Sequence, residues 1–496
     1  MTKRAFFPVL AAATLLAACT MAPKYERPVA PAASGWPAPP LAVGASGTAA
    51  PTTTGPVSDL GWREFFGDPR LQALLALALQ NNRDLRVATL NVQEVAARYR
   101  IQRAALFPQL DANGALNRTQ TPSALLYTGE PALYSIYGAN VGITSWELDF
   151  FGRIRSLKEQ ALQTYFAEEQ NRRSAQLSLV AQVATEYYTD RALAEEIGVA
   201  RATLRAQQDS LGMTQRGYEV GSFSEIDFRT AQAQVASARS DLASLLRQRS
   251  EALQALAVLV GGPPPDDLPS APALADDALP AGLPAGLPSD LLNRRPDILA
   301  AEHQLRGYNA NIGAARAAFF PKITLTASGG TESLTLSGLF KPGSADWTFA
   351  PQITLPIFDA GTNLANLDLA KLEKLSAIAQ YEKTIQVAFQ EVANALTARG
   401  LLDDQIAAQR ALVAAEQVRY NLAEARYRQG VDNYLTELDA QRSLYSAQQS
   451  LIQSRFDRLS NLITLYKALG GGWTERSLSE AASRGKMISS TSAERH

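Results

Sequence analysis

Side chains able to carry covalent or metal chemistry are few in this chain. It has two histidines, His303 and His496, and one cysteine, Cys19. A zinc site draws three or four ligands, usually from cysteine and histidine, and a disulfide needs two thiols. A serine or cysteine nucleophile would depend on His303, which no nucleophile motif surrounds. Metal-free carboxylate catalysis stays open in principle, but nothing organises it, and the chain reads as a non-enzyme. No catalytic residue and no metal site are assigned. Two other features could act. Cys19 stands where a lipid could be attached. Asp439 and Arg442 are three residues apart, which puts opposite charges on one helix face.

The segment before Cys19 accounts for the thiol. Lys3 and Arg4 form a basic start, and Ala5 to Ala18 is an apolar run of signal length, too short to span a bilayer as a helix. It ends Leu16-Ala17-Ala18-Cys19, the order of a bacterial lipobox. Cleavage there makes 1–18 a signal peptide and leaves Cys19 to carry N-palmitoyl and S-diacylglycerol groups. Each buried CH2 contributes roughly 0.8 kcal/mol, and two or more chains anchor stably. The plainer alternative is a secretion signal with an incidental cysteine. Thr20 follows rather than aspartate, which under the lipoprotein sorting rule favours the outer over the inner membrane. No other run approaches about 18 apolar residues, so no transmembrane helix is expected.

The elements that position these groups follow from proline and glycine. None of the 26 prolines falls in 132–262 or 357–496. Proline costs about 3 kcal/mol inside a helix, so such runs permit long helices, and the Ala, Gln, Leu, Glu and Arg content suits them. Glycines divide the runs, predicting helices at about 154–219, 223–260, 362–428 and 432–469, with shorter ones at about 69–107 and 289–320. The longer pair would each reach on the order of 100 Å at 1.5 Å per residue. In the last helix Leu435, Leu438, Arg442, Tyr445, Gln449, Ile452, Phe456, Leu459, Ile463 and Tyr466 alternate spacings of three and four. That pattern predicts a coiled-coil seam with polar interruptions. The net charge of −1 gives no reason to expect nucleic acid.

The chain is two copies of one unit. Arg103-Ala104-Ala105-Leu106-Phe107-Pro108-Gln109-Leu110 returns as Arg316-Ala317-Ala318-Phe319-Phe320-Pro321-Lys322-Ile323, and Gly152, Gly221 and Gly261 each return 209 positions later as Gly361, Gly430 and Gly470. The organisation is a strap over 19–60, a first repeat over 61–262, a proline-rich linker over 263–288, a second repeat over 289–473 and a disordered tail over 474–496.

Within each repeat the period changes to two. Hairpins are expected at about 109–150 and 322–357, with Leu110, Ala112, Gly114 and Leu116 alternating against Asp111, Asn113, Ala115 and Asn117. In the last strand Trp347, Phe349, Ile353, Leu355 and Ile357 share one face. Strands of about ten residues with one apolar and one polar face fit a wall between lipid and water. A soluble hairpin packed on helices fits as well, with Trp347 and Phe349 either interfacial girdle or core. Four strands cannot close a barrel, and open edges are not tolerated in lipid. Membrane strands would therefore require several chains to share one barrel.

The sequence resembles the TolC-type outer-membrane efflux channels, specifically the OprM-like lipoproteins of resistance-nodulation-division (RND) multidrug pumps. The resemblance runs from Cys19 to about Trp473. It rests on Gly61-Trp62-Arg63-Glu64-Phe65-Phe66-Gly67-Asp68-Pro69, Asn82-Arg83-Asp84-Leu85, Trp146-Glu147-Leu148-Asp149-Phe150-Phe151-Gly152-Arg153, Arg294-Arg295-Pro296-Asp297-Ile298 and Val431-Asp432-Asn433-Tyr434-Leu435. It implies a mostly α fold with a small β part. The form implied is a homotrimer whose twelve-stranded outer-membrane barrel continues as a helical coiled-coil tunnel in the periplasm, with the linker in an equatorial belt.

The function implied is a passive exit duct for drugs and other toxic compounds, with a periplasmic membrane-fusion adaptor and an inner-membrane RND pump as partners and no cofactor beyond the Cys19 lipid. Leu435 would plug a gate at the tip, Asp439 would form an acidic ring, and Arg442, Arg426 and Asp227 would join its network. The turns at Gly221 and Gly430 would meet the adaptor. On the residues alone, Asp439 and Arg442 also fit a solvated surface pair. The reading from another class is a non-conducting lipid-anchored coiled-coil scaffold.

Overall fold

The computed structural model describes residues 20–31, 35–36, 57–125, 131–280, 282–284 and 288–475. In chain order the main elements are α1 (Pro69–Asn81), α2 (Arg83–Ala104), β1 (Asp111–Thr121), β2 (Ala132–Glu147), α3 (Arg153–Glu219), α4 (Glu225–Val260), α5 (Pro288–Arg294), α6 (Pro296–Ala317), β3 (Lys322–Ser333), β4 (Ala345–Thr354), α7 (Thr362–Arg428) and α8 (Tyr434–Ala468). The chain is mostly helical with one small sheet. Among the described residues no helix is long and apolar enough to cross a membrane.

Two helices expected to be continuous are broken. The run over 69–107 is α1 and α2, because Asn82 ends one and begins the other. Its Oδ1 accepts from the Leu85 amide at 2.9 Å, which caps the second helix. Its Nδ2 donates to the Leu259 carbonyl at 2.9 Å. The run over 289–320 is α5 and α6, divided before Pro296, where proline starts a helix more readily than it continues one.

The chain forms two compact units. The first comprises the described residues of 1–29, 91–169 and 300–382. Its core feature is an antiparallel sheet in the order β1-β2-β3-β4. The register carries the alternation across all four strands. Ala112 pairs with Val141, Val141 with Gly329 and Gly329 with Trp347, while Ile143 pairs with Ala327 and Ala327 with Phe349. On the opposite face Asn113 pairs with Asn140, Asn140 with Gly330, and Ser328 with Thr348. Directly paired residues point the same way. One face is thus apolar and the other small and polar from edge to edge. Trp347 and Phe349 are 76% and 62% exposed on the single chain, so they are not core. β1 and β4 are both unpaired edges.

The described part of the strap lies along α6 in this unit. Arg27 bonds Glu302, Asn309 donates to the Pro23 carbonyl at 2.7 Å, and Arg316 to the Met21 carbonyl at 3.2 Å. A Cβ on Gly313 would stand 2.6 Å from the Ala22 nitrogen, so only glycine lets the strap approach there. Cys19 lies outside the described residues.

The second unit comprises the described residues of 30–90, 170–299 and 383–496. Phe65 stacks on Tyr466 at 4.0 Å, and Tyr466 donates to the Leu60 carbonyl at 2.7 Å. The Trp62 and Arg63 amides bond the carbonyls of Thr474 and Glu475, so the expected tail is tied down at its start; the rest lies outside the described residues. Arg295 is buried and explains the Arg-Arg-Pro-Asp motif: it binds Asp297 at 2.6 Å, Glu391 at 2.8 Å and the Ala468 carbonyl at 3.1 Å. Burying a charge requires such partners.

Candidate functional site

The two helix turns of the second unit repeat each other's backbone. Gly221 and Gly430 have φ of +76° and +70°, a left-handed conformation that favours glycine. The Ser222 amide donates to the Gly217 carbonyl at 2.8 Å, and the equivalent Val431 amide to the Arg426 carbonyl at 3.0 Å. Each turn then starts a helix with a side-chain cap. Ser224 and Asp227 form a reciprocal capping box, with Ser224 Oγ accepting from the Asp227 amide at 3.1 Å. Asn433 Oδ1 accepts from the Thr436 amide at 3.1 Å. Asp227 is therefore engaged as a helix cap.

The second turn carries charge that the first lacks. Arg426 forms a two-pronged pair with Asp432, at 2.6 and 2.9 Å. Asp439 pairs with Arg419, which also reaches Glu416 at 3.1 Å. Asp439 thus bonds α7 rather than Arg442 on its own helix. The two arginines are seven residues apart on α7, and the two aspartates are seven apart beyond the turn. Each pair is equidistant from Gln429, so two rungs tie α7 to α8. Hydrogen bonding from Arg426 holds the Asp432 carboxyl below the usual carboxylate range. Both rungs are solvent-facing, and such pairs contribute little and weaken with salt. A contact of that kind breaks readily.

The expected seam of α8 is buried at Leu438, Ile452, Leu459, Ile463 and Tyr466 and departs from expectation near the turn. The buried residues of α8 near the turn are Tyr434, Glu437, Leu438, Ala440, Gln441 and Leu444. Leu435 is 66% exposed, and Arg442 is also exposed. Near the turn the in-chain contact uses Tyr434 and Gln441, one residue before Leu435 and Arg442, together with Leu438 of the expected seam. Leu435 and Arg442 are the expected seam positions near the turn that this chain leaves exposed. Arg442 borders a cleft with Gln207, Asp241 and Tyr445.

Behind the rungs lies a buried polar layer that the periodicity did not mark. Gln207 of α3 donates to Gln441, and Tyr434 donates to Gln207 at 3.3 Å. Ser210 donates to Glu437 at 3.1 Å, and Thr214 shares a hydrogen bond with Tyr427 at 3.2 Å. These bonds join α3 to α7 and α8. Arg419, Asp432 and Glu437 were missed as site residues. The symmetric placing of the charges about Gln429 could have found the first two.

Among the described residues no group of three or more His, Cys, Asp or Glu could hold a metal. The arrangement can hold helix ends together and release them.

The sequence profile of the outer membrane efflux protein family matches residues 74–262 and 287–471. The toluene efflux pump outer membrane protein TtgC of Pseudomonas putida is 48% identical over 469 residues, covering 94% of this chain and 95% of that protein. Outer membrane protein OprJ of Pseudomonas aeruginosa is 43% identical, covering 96% and 98%. Among solved structures, the open state of the MtrE outer membrane channel of Neisseria gonorrhoeae superposes with a TM-score of 0.81 at 43% identity, covering 92% of this chain and all of that one.

Proposed function

We propose a passive duct for this chain, which belongs to the outer membrane efflux protein family: three copies close one twelve-stranded barrel, and a tunnel of their helices ends in a gate at the two turns. The chain is an outer-membrane efflux channel component. The relatives are efflux and channel proteins, not enzymes. The observation that carries the proposal is the sheet. Its apolar face runs in register across four strands, and both edges are open. Open edges in lipid leave backbone groups unsatisfied, so further copies must complete the wall. Three copies give twelve strands, within the range of known barrels.

The tip supports the gate. Asp439 and Arg426 hold α7 to α8 within a chain, while Leu435 and Arg442 are left exposed for neighbouring copies. Leu435 plugs the tip, and Arg442 reaches across it. The turns at Gly221 and Gly430 receive a periplasmic adaptor that links the duct to an inner-membrane RND pump, the source of energy. Cargo is chemically diverse, including apolar solvents of the toluene kind, because a water-lined tunnel selects by width and charge rather than by a fitted pocket. The lipid on Cys19 anchors the strap.

Conductance of the purified protein in planar bilayers is the test. A conducting pore whose current rises in the Asp439→Ala, Arg442→Ala double variant is the expected result. A bilayer that stays silent would favour the scaffold reading, and a pore whose current is unchanged in the variant would remove the gate.

A further inference from the structure

Of the acidic side chains near the second turn, Glu437 is turned inward. It is 1% exposed. Ser210 donates to its Oε1 at 3.1 Å, and its Oε2 is buried with no hydrogen-bond partner. The groups that face it come from every helix packed around it. From α3 this is Ser210, and from α7 Tyr420, Glu424, Tyr427 and Arg428; Asp209 of α3 acts on Tyr420. Tyr434 faces it from α8, and Asp227 of α4 lies near Tyr427 in the same cluster. Arg428 is the base that acts on it directly, and it is already paired with Glu424 at 2.6 Å; a second base, Arg442, acts on the neighbouring Tyr434. An ionised carboxylate here would be a buried charge without adequate compensation.

We propose that Glu437 is a proton-operated latch on the tip. Neutral, it lets the first turn of α8 seat against α3. Ionised, it reaches water only if that turn comes away, which loosens Leu435 and Asp439 on either side of it. Burial pushes the Glu437 carboxyl above the usual range; Ser210 and Arg428 oppose the shift, and Glu424 adds to it. A raised carboxyl stabilises the seated state fully below the pH at which a free glutamate titrates. That contribution is lost as pH rises through the raised value. Acid on the tip side therefore closes and neutral pH loosens.

The latch rests on the reading of the tip as a gate, and the experiment separates the two. Full-length protein is placed in planar bilayers, and pH is varied only on the side facing the helical tip. Open probability of the wild type rises as tip-side pH rises through the carboxyl's raised value, by up to roughly tenfold per unit of difference between the carboxyl's two states. Glu437→Gln removes that rise and stays at the low-pH level. Ser210→Ala, which takes a donor from the ionised form, moves the midpoint to higher pH and leaves the maximum conductance unchanged. If Glu437→Gln keeps the wild-type pH profile, or Ser210→Ala leaves the midpoint in place, the latch is overturned, while a higher current in Asp439→Ala with Arg419→Ala keeps the gate. If that double variant conducts like the wild type at every pH, gate and latch fall together.

Discussion

Where the second turn sets Arg426 against Asp432, the first turn sets Gly217 under Phe223. The positions are equivalent, 209 residues apart. A Cβ on Gly217 would come within 1.9 Å of the Phe223 ring, so the ring lies directly on the glycine. Other pairs diverge in the same sense. Tyr218 stacks on Phe228 at 5.4 Å, whereas their counterparts are Tyr427 and Glu437. Arg419 and Asp439 correspond to Ser210 and Thr230. Duplication preserved the glycine turn and the cap but replaced apolar contact with charge in one copy. Apolar contact is indifferent to salt and pH, and charge is not. The second turn is thus the one that solution conditions can operate.

The largest expected effect tests that assignment directly. Asp432→Ala with Asp439→Ala removes both rungs and should raise single-channel conductance severalfold. Phe223→Ala with Thr230→Ala, the matched change in the first turn, should leave it nearly unchanged. Equal effects would erase the distinction between the copies. Salt should mimic the first variant in part, since raising ionic strength screens the rungs. Acid acts in two opposed ways. The Arg426–Asp432 rung persists above the range of a free aspartate and is lost only as pH falls through the depressed Asp432 value. The Glu437 contribution runs the other way. Conductance should therefore fall on mild acidification and recover only at much lower pH, measured on the tip side.

Gly217→Ala should come next. The new methyl meets the Phe223 ring, and overpacking of this kind costs about 1–3 kcal/mol. Thermal unfolding should shift down by the same amount at low and high salt. A shift that depends on salt would mean that charge also holds the first turn.

Much of this architecture was legible because it rests on local rules. Proline-free runs and glycine breaks placed the long helices, and period-two alternation placed the hairpins. What escaped was set by tertiary choice. Asn82 splits a helix because its amide finds the Leu259 carbonyl, a partner 177 residues away. Near the turn the α8 seam shifts by one residue, and packing against α3 buries Tyr434 and Gln441 in place of Leu435 and Arg442. Asp439 had an acceptable partner on its own helix, yet Arg419 across the hairpin is what it meets. Glu437 carried no sequence signal, because periodicity reports apolar stripes and not the polar residues buried beside them.

The caps should distinguish nothing, which makes them a control. Ser224→Ala and Asn433→Ala each remove a side-chain acceptor from a helix start, at a cost of about 1 kcal/mol. Similar falls in unfolding temperature would show that the shared backbone is equally supported in both copies. A much larger loss at Asn433 would place part of the difference in the turn itself rather than in the flanking charges.

The smallest effect on stability is expected from Arg428→Ala, and it carries more information than its size suggests. Arg428 and Glu424 are an exposed i,i+4 pair, worth a few tenths of a kcal/mol. Thermal unfolding should barely move. Arg428 is also the base nearest Glu437 and lowers the pH at which that carboxyl ionises. Its removal should therefore shift the midpoint of pH-dependent opening upward while leaving the unfolding temperature in place. A shift in unfolding temperature with an unmoved midpoint would reduce Arg428 to a surface pair and leave Ser210 as the one side chain that tunes Glu437. The counterpart of Arg428 is Glu219, so the same substitution there should change neither quantity, and the two copies would again part at the position where one of them buries an acid.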